Sequence, residues 1–222
     1  MAIHELPLQA MTQMETYYPI FVNIKGKDCV VVGGGRVAER KVKTLLEYGA
    51  SVKIISPTLT TGLQKLAARR IINWIDRPYV EGDLSASGGL VIAASNNQKI
   101  NKAVFEEAES KGCLVNVVDK PVLCRFIVPA TISSGGITLA FSSGGKSPAV
   151  IKKLKTEIED IMPRYARLLK LVAQVRRNYV GKGLKPQAWS AALDGTLESL
   201  LEEGKMKEAR KLLKERLDAQ LR

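Results

Sequence analysis

The fold is decided by one stretch, Cys29-Val30-Val31-Val32-Gly33-Gly34-Gly35-Arg36-Val37-Ala38-Glu39-Arg40-Lys41. In it an apolar, β-branched run enters a glycine cluster, and a charged, helix-forming segment leaves it. This pattern predicts a strand, a tight turn and a helix. Such a turn aims the first N–H groups of the helix, with the positive end of its dipole, at one point beyond the strand. A pyrophosphate fits there.

The glycine cluster matches the G-x-G-x-x-G/A dinucleotide pattern through Gly33, Gly35 and Ala38. The first glycine permits the turn, the second lets a phosphate approach the backbone, and the small third residue lets the helix pack on the strand. An ordinary glycine-rich turn is the alternative, but the well-formed strand and helix on either side favour a nucleotide site. The residues predicted to hold a cofactor here are Gly33, Gly34, Gly35, Arg36 and Val37.

The end of the second strand departs from the usual pattern. Rossmann domains that bind NAD usually carry an Asp or Glu about 20 residues after the glycines, to hold the adenine ribose. Here the strand predicted over 51–55 runs into Ser56-Pro57-Thr58, three further candidate cofactor residues. Lys53 can attract a ribose phosphate, or it can be an ordinary solvent-facing strand residue. This position therefore leaves NAD and NADP both open.

Alternating strand and helix patterns continue in the order that builds a parallel sheet. Further strands are predicted at 71–75, 90–95 and 114–119, and helices at 59–70 and from an Asn96-Asn97 cap to about residue 111. Together they predict a Rossmann-like, doubly wound α/β fold, whose ligands lie beyond the carboxyl ends of the strands. At that edge Ala94, Ser95 and Asn116 join the candidate cofactor site.

The remaining sequence changes character. Two short strands are predicted at 125–129 and 137–141, about the turn Ser133-Ser134-Gly135-Gly136. Ser147 and Pro148 indicate an N-cap and a first-turn proline. The helix that they open is predicted to end near Met162, and helical patterns continue almost to residue 222 with breaks near Pro163, 181–186 and Gly204.

Composition is that of an ordinary soluble protein, with 222 residues, 45% hydrophobic and 25% charged. No apolar run approaches the length of about 20 residues that a membrane span needs, and the first residues lack the pattern of a signal peptide. The three cysteines lack C-x-x-C spacing, so neither a disulfide framework nor a zinc site is indicated. The only histidine, His4, lies in a polar leader, which leaves carboxylates for acid–base work. We expect a cytoplasmic protein without a membrane partner.

Net charge is +12, and the basic residues are unevenly spread. The segment 164–185 carries no acidic residue, and its basic residues are Arg164, Arg167, Lys170, Arg176, Arg177, Lys182 and Lys185. Such a stretch attracts polyanions, among them nucleic acid, an acidic membrane surface or a small polycarboxylate. A solvated helix face is an equally good interpretation.

Two later segments stand out, Asn116-Val117-Val118-Asp119-Lys120-Pro121 and Phe141-Ser142-Ser143-Gly144-Gly145-Lys146-Ser147-Pro148. Together with the glycine loop and Pro19-Ile20-Phe21-Val22, they resemble the precorrin-2 dehydrogenase family, the dehydrogenase and ferrochelatase module of siroheme synthesis. The resemblance covers roughly residues 17 to 180 and depends on several separated motifs in the right order.

The resemblance implies an enzyme that oxidises precorrin-2 to sirohydrochlorin with NAD, and that in some members also inserts ferrous iron to give siroheme. It implies a homodimer, with an NAD-binding domain at 1–120, a dimerisation region at 121–150 and a helical domain at 151–222. Precorrin-2 is a tetrapyrrole polycarboxylate, which gives the basic stretch a candidate ligand. No nucleic acid partner is expected. The methyltransferase fused to some relatives is not expected here either.

The family's N-V-V-D aspartate, implicated in both reactions, falls on Asp119. A carboxylate at the end of a central strand can act as the base in either reaction and can hold an entering ferrous ion transiently. A turn residue before Pro121 is the alternative. The family's second loop serine, which lines the porphyrinoid cleft, falls on Ser143. The predicted substrate residues are Ser143, Gly144 and Lys146, although their loop can also serve as a strand-to-helix turn.

Alternatives stay open at this point. A dehydrogenase can hand sirohydrochlorin to a separate chelatase, because Asp119 serves both reactions and no extra His or Cys marks a metal site. A nucleotide-sensing regulator can use the basic helices to bind DNA, although 164–185 shows no clear helix-turn-helix. For Asn116, orienting the nicotinamide region and bracing the backbone are equally open.

Overall fold

The computed structural model describes residues 17–84 and 89–221. Within them the chain divides into two compact units, residues 17–128 and residues 129–221. Each unit has its own buried hydrophobic core. His4 and the polar leader lie outside the described residues.

The first unit is built on five parallel strands in the order β3-β2-β1-β4-β5. The strands are β1 (Asp28–Val32), β2 (Ser51–Ile55), β3 (Asn73–Ile75), β4 (Leu90–Ala93) and β5 (Leu114–Val117). The helices are α1 (Arg36–Glu47), α2 (Thr61–Ala68) and α3 (Gln98–Ser110). The predicted Rossmann-like sheet is confirmed, and the strand order reverses between β1 and β4, where such folds bind ligands.

Alternate residues of β1 are buried on opposite faces of the sheet. On one face Cys29 and Val31 pack with α1 and α2. On the other face Val30 and Val32 pack with α3 and with the connection between β3 and β4. Because both faces are covered, β4 and the buried residues Cys29–Val32 of β1 are all apolar. Asn97 caps α3 with its side chain, as the Asn96-Asn97 pair predicts.

The second unit combines a hairpin with four helices. Its strands are β6 (Ala130–Ser134) and β7 (Ile137–Phe141), and its helices are α4 (Pro148–Arg176), α5 (Pro186–Ala192), α6 (Gly195–Glu202) and α7 (Met206–Ala219). The side chain of Ser147 caps α4 by accepting a hydrogen bond from the N–H of Val150 at 3.3 Å. The prediction of β7 and of this cap is therefore confirmed.

The strand predicted at 125–129 is wrong. The antiparallel strand is β6, because the two-residue turn at Gly135-Gly136 pairs Ser134 with Ile137 and sets the register from there. Both glycines have positive φ, +55° and +94°, as a tight hairpin of this type requires. The backbone N–H of Arg125 instead donates to the carbonyl of Val115 on β5 at 2.8 Å.

The break predicted near Pro163 is also wrong, because α4 continues through this residue to Arg176. A proline removes one helical hydrogen bond, but it does not prevent later turns from packing. Beyond the proline, Leu171 and Val175 are fully buried in the core of the second unit. The breaks predicted at 181–186 and at Gly204 are confirmed, between α4 and α5 and between α6 and α7.

In the part of the chain that the structure describes, no helix is both long and apolar enough to cross a membrane. Within the same residues there is no group of three or more His, Cys, Asp or Glu side chains placed to hold a metal ion. Cys29, Cys113 and Cys124 all lie in the described residues and none of them forms a disulfide; Cys29 and Cys113 are buried.

Candidate active site

A cavity of about 550 Å³ lies at the carboxyl ends of β1, β2 and β4. The residues that line it include Gly33, Gly34, Gly35, Ser56, Pro57, Thr58, Ala94 and Ser95. All of these stand among the cofactor residues predicted from the sequence. The cavity therefore brings three separate loops to one point, at the edge where a doubly wound sheet binds its ligand.

The first two glycines are required by the close packing of these loops. Gly33 has a φ of +117°, and an added β-carbon would overlap the carbonyl oxygen of Ala94. A β-carbon on Gly34 would overlap the carbonyl oxygen of Thr58. The N–H of Thr60 also donates to the carbonyl of Gly34 at 3.0 Å. The glycine loop is thus fixed between the loops that follow β2 and β4.

Gly35 serves a different purpose, because a β-carbon there would meet no atom within 4 Å. It is the N-cap of α1 and offers no side chain to the first turn. The first N–H groups of a helix have no partner within the helix. The N–H groups of Arg36 and Val37 therefore receive no hydrogen bond acceptor from the side chain of the N-cap residue. Neither Arg36 nor Val37 lines the cavity. This open, uncapped cradle fits the pyrophosphate of a dinucleotide.

Thr60 connects the second loop to α1 and is not among the residues predicted from the sequence. Its hydroxyl donates to Glu39 at 2.5 Å and accepts from the N–H of Leu63, so it also caps α2. Hydrogen bonds from Lys43 and Thr60 lower the pKa of Glu39. A threonine directly before a helical pattern is an N-cap signal that could have identified this residue.

Tyr79 forms another part of the cavity wall and carried no sequence signal. It is 8% exposed and lines the cavity together with Pro78 and Ile100. Its hydroxyl donates to the carboxylate of Glu107 on α3. Burial, followed by this hydrogen bond, raises the pKa of Tyr79. Burial opposes ionisation of Glu107, but hydrogen bonds from Lys111 and Tyr79 lower its pKa.

Asp119 follows β5 in an exposed turn and does not line the cavity. Its φ of +59° is a left-handed conformation, which is uncommon outside glycine but several-fold enriched for aspartate. Among the described residues, none donates a hydrogen bond to its carboxylate. Since β5 lies beside β4, Asp119 stands at the same edge of the sheet as the cavity.

Asn116 and Lys53 both use their side chains to hold the backbone. The amide nitrogen of Asn116 donates to the carbonyl of Phe126 at 2.9 Å, and neither Asn116 nor Lys53 lines the cavity. The ammonium of Lys53 donates to the carbonyl of Asp83 at 2.7 Å. For Asn116 this contact is the bracing role that the sequence left open.

The predicted substrate residues Ser143, Gly144 and Lys146 belong to the second unit, in the loop between β7 and α4. The hydroxyl of Ser143 accepts from the N–H of Ser147 at 3.1 Å. The N–H of Gly144 donates to Ser142 at 3.1 Å. These serines therefore stabilise a strand-to-helix turn. That the same loop binds substrate stays a prediction.

A Rossmann sheet with a glycine cradle at its switch point defines a dinucleotide-binding domain. Consistent with this class, a family model described as NAD(P)-binding (NAD_binding_7) matches residues 20–130. The chain belongs to this NAD(P)-binding family.

Similar proteins extend the match beyond the sheet. A "Siroheme synthase" of Nitrosococcus oceani is 36% identical over 207 residues, which cover 91% of this chain and 44% of that protein. A "Siroheme synthase" of Methylobacillus flagellatus is 41% identical over 164 residues, covering 73% of this chain and 35% of that protein. The chain thus spans less than half the length of these relatives.

A solved structure, "SirC, precorrin-2 dehydrogenase", superposes with a TM-score of 0.73 at 23% identity. It covers 90% of this chain, and the match includes all of that structure. The family resemblance identified from the sequence is confirmed by these matches. The relatives named here give no support to the alternative of a DNA-binding regulator.

Proposed function

We propose that this chain oxidises precorrin-2 to sirohydrochlorin with NAD as the electron acceptor. The observation that carries the proposal is the exposed carboxylate of Asp119, held in a left-handed turn at the same sheet edge as a glycine-lined cavity. The names and coverage of the similar proteins support it. The proposal extends to this chain the reaction that the name of the solved structure states.

The cofactor is held by the chain's own backbone and loops. When bound, NAD supplies the hydride acceptor. The N–H groups of Gly35, Arg36 and Val37 bind the pyrophosphate, because they open α1 without a side-chain cap. Ser56, Pro57 and Thr58 flank a ribose, and Ala94 and Ser95 form the cavity wall at β4. Asn116 acts indirectly, by bracing the chain that follows β5.

Asp119 is the proposed catalytic residue. The oxidation removes two hydrogens from the macrocycle, one as a hydride that leaves with the electrons of a C–H bond and one as a proton. A carboxylate oxygen of Asp119 accepts the proton while the new double bond forms, and the hydride would leave to the NAD that the glycine loop would hold. An exposed carboxylate can then return the proton to water, which restores the base for the next turnover.

The substrate contacts proposed are Ser143, Gly144 and Lys146. Precorrin-2 carries many carboxylates, and a lysine with backbone N–H groups in a glycine-rich loop suits an anion. The exposed Arg167, Lys170 and Arg177 of the second unit add positive potential that steers such a substrate.

A second reaction, insertion of ferrous iron, is proposed through the same carboxylate. Metal insertion removes two pyrrole protons, which Asp119 can accept one after the other if it passes the first to water before it takes the second. Its carboxylate oxygen is also a reasonable transient ligand for ferrous iron. The iron is a substrate here. A dehydrogenase without this second reaction would carry the same groups, so iron insertion is tested separately from oxidation.

We also propose a cytoplasmic homodimer, with the NAD-binding domain at 1–120, a dimerisation region at 121–150 and a helical domain at 151–222.

An exposed apolar stripe runs along one face of α4 and consists of Val150, Leu154, Ile161, Tyr165 and Leu169. Apolar residues at such helical spacing favour burial against a partner. The hairpin β6–β7 also has an unpaired edge on each of its two strands. An identical hairpin can pair with such an edge. Sedimentation of the wild type and of Ile161→Lys tests this assembly, which a monomeric wild type would contradict.

The function is tested by anaerobic incubation of the purified chain with precorrin-2 and NAD, followed by the absorbance of sirohydrochlorin. We expect NAD-dependent conversion in the wild type and a loss of about 100-fold or more in Asp119→Ala. Asp76→Ala is the matched control, because Asp76 is an exposed aspartate directly after β3. A wild type that binds NAD without converting precorrin-2, or full conversion by Asp119→Ala, would contradict the proposal.

A further inference from the structure

One buried carboxylate in the first unit has no part in the proposed reaction. Glu107 on α3 is 6% exposed, and acidic side chains are seldom buried to this degree unless they are paired. The side chain of Glu107 lies behind the cavity wall and joins α3 to the loop that follows β3. The contacts of Glu107 therefore indicate what this charge stabilises.

The carboxylate of Glu107 accepts hydrogen bonds from three different residues. It accepts hydrogen bonds from the hydroxyl of Tyr79, from the N–H of Leu84 at 3.1 Å and from the ammonium of Lys111 at 2.5 Å. The same ammonium donates to the carbonyl of Leu84. The carboxylate and Lys111 thus fasten both ends of the segment 79–84 to α3.

The loop is also fixed within itself. Arg77 makes two hydrogen bonds to the carboxylate of Asp83, at 2.7 and 2.6 Å, and the N–H of Val80 donates to Asp83 at 2.9 Å. Pro78 and Tyr79 lie inside this closed loop and reach the cavity. A wall fixed before the ligand arrives costs less ordering free energy on binding.

The wall differs chemically from the glycine cradle. Pro78, Tyr79 and Ile100 line it with mainly apolar side chains, whereas the cradle offers backbone N–H groups. An aromatic face suits a planar base, through stacking and burial of apolar area. Of the two rings in a dinucleotide, the nicotinamide must meet the substrate near Asp119, which follows β5. The loop of Tyr79 follows β3, at the opposite end of the sheet.

We propose that Tyr79 binds the adenine ring of the dinucleotide and that Glu107 is a positioning residue that acts through the hydroxyl of Tyr79. The inference rests on the NAD binding of the proposed function, and it names the residues that give the pocket its preference for an adenosine half. Glu107 touches no ligand in this arrangement. Its effect passes through the orientation of the phenol ring and through the segment 79–84, which it holds by the N–H of Leu84 as well.

The first test compares fragments of the cofactor by calorimetry. Tyr79→Ala should weaken the binding of ADP-ribose by about tenfold or more, since an aromatic stack and its buried area are lost. Nicotinamide mononucleotide should bind as it does to the wild type. In turnover, KM for NAD should rise while kcat stays within about twofold. Equal losses for both fragments, or no loss for ADP-ribose, would overturn the inference.

The second test isolates Glu107 by a double-mutant cycle. Glu107→Gln and Tyr79→Phe should each weaken ADP-ribose binding by about threefold, and the double variant should lose less than the product of the two single losses, because both weaken the contact between these two side chains. Additive losses would overturn the positioning role. Tyr179→Phe is the matched control, because Tyr179 is the other buried tyrosine with a carboxylate partner, Asp218 at 2.7 Å in the second unit. It should leave ADP-ribose binding unchanged.

These readouts separate the inference from the proposed function. A wild type that binds ADP-ribose with the expected dependence on Tyr79 but leaves precorrin-2 unchanged would contradict the reaction and support the adenine site. A wild type that converts precorrin-2 with equal affinity in Tyr79→Ala would support the reaction and overturn the adenine site. Far-ultraviolet dichroism of each variant confirms that the fold is retained.

Discussion

Gly34 lies so close to the carbonyl oxygen of Thr58 that an added β-carbon would overlap that oxygen. The contact joins the glycine loop directly to the loop after β2, and the N–H of Thr60 strengthens it by donating to Gly34 at 3.0 Å. Gly35, one residue later, faces open space. Two neighbouring glycines of one motif are therefore required for two different reasons.

Gly34→Ala should lower the free energy of unfolding by about 1 to 3 kcal/mol, because the new methyl group must push a backbone carbonyl aside. The loss of loop geometry should also weaken NAD binding. Urea unfolding and calorimetry measure the two effects on the same protein.

Gly35→Ala is the comparison that separates packing from binding. Its added β-carbon meets no atom within 4 Å, so the free energy of unfolding should change by less than about 1 kcal/mol. NAD affinity should fall by about tenfold or more, because the methyl group enters the space that a phosphate needs. Equal destabilisation by both substitutions would contradict this division of roles.

The Rossmann sheet could be predicted because its signals are local. The run Cys29–Val32 is apolar and β-branched, it ends at glycine, and its pattern needs no partner to be recognised. By contrast, β6 is defined by its register with β7, and the neighbouring apolar run Phe126-Ile127-Val128 has an equally good strand pattern. The hydroxyl of the wall residue Tyr79 is held by a hydrogen bond to Glu107, which lies 28 residues further along the chain. No pattern in the sequence reports such a contact between distant side chains.

Asp119 should separate activity from stability when it is replaced. Its φ is +59°, so Asp119→Gly removes strain of about 1 kcal/mol but makes the unfolded chain more flexible, and the two effects offset. The free energy of unfolding should change by less than about 1 kcal/mol, while the proposed oxidation of precorrin-2 should fall by about 100-fold or more. Asp119→Asn keeps a residue that tolerates the turn and should lose activity equally. An active Asp119→Asn would remove the carboxylate from the mechanism.

Pro163 should be a site where the protein can be stabilised. It interrupts the hydrogen bonding of α4, which continues to Arg176, and a proline inside a helix costs about 3 kcal/mol relative to alanine. Pro163→Ala should therefore raise the free energy of unfolding by about 1 to 3 kcal/mol, as measured in urea.

Pro148→Ala is the control for Pro163, because Pro148 occupies the first turn of the same helix. A proline is favourable there, since the missing N–H would have no partner. We expect no stabilisation from this substitution. If both alanine variants gained equally, the explanation by the lost helical hydrogen bond would be wrong.

The ion pair between Asp194 and Arg216 should make the second unit sensitive to acid. Arg216 makes two hydrogen bonds of 2.8 Å to the Asp194 carboxylate, which also caps α6. The contact with Arg216 lowers the pKa of Asp194 to about 2 from 3.8. A depressed pKa means that the folded state favours the ionised form, so the stabilisation is complete above pH 3.8 and is lost as the pH falls through about 2.

Asp194→Asn isolates this contribution, because asparagine caps a helix nearly as well as aspartate but carries no charge. The variant should be less stable than the wild type at neutral pH, and the difference should narrow as the pH falls from 3.8 to about 2. Urea unfolding at a series of pH values, followed by helical dichroism, measures the difference. Asp160→Asn on α4 controls for the change in net charge, since no ion pair to Asp160 occurs among the described residues. A difference that stays constant as the pH falls would show that Arg216 does not favour the ionised carboxylate.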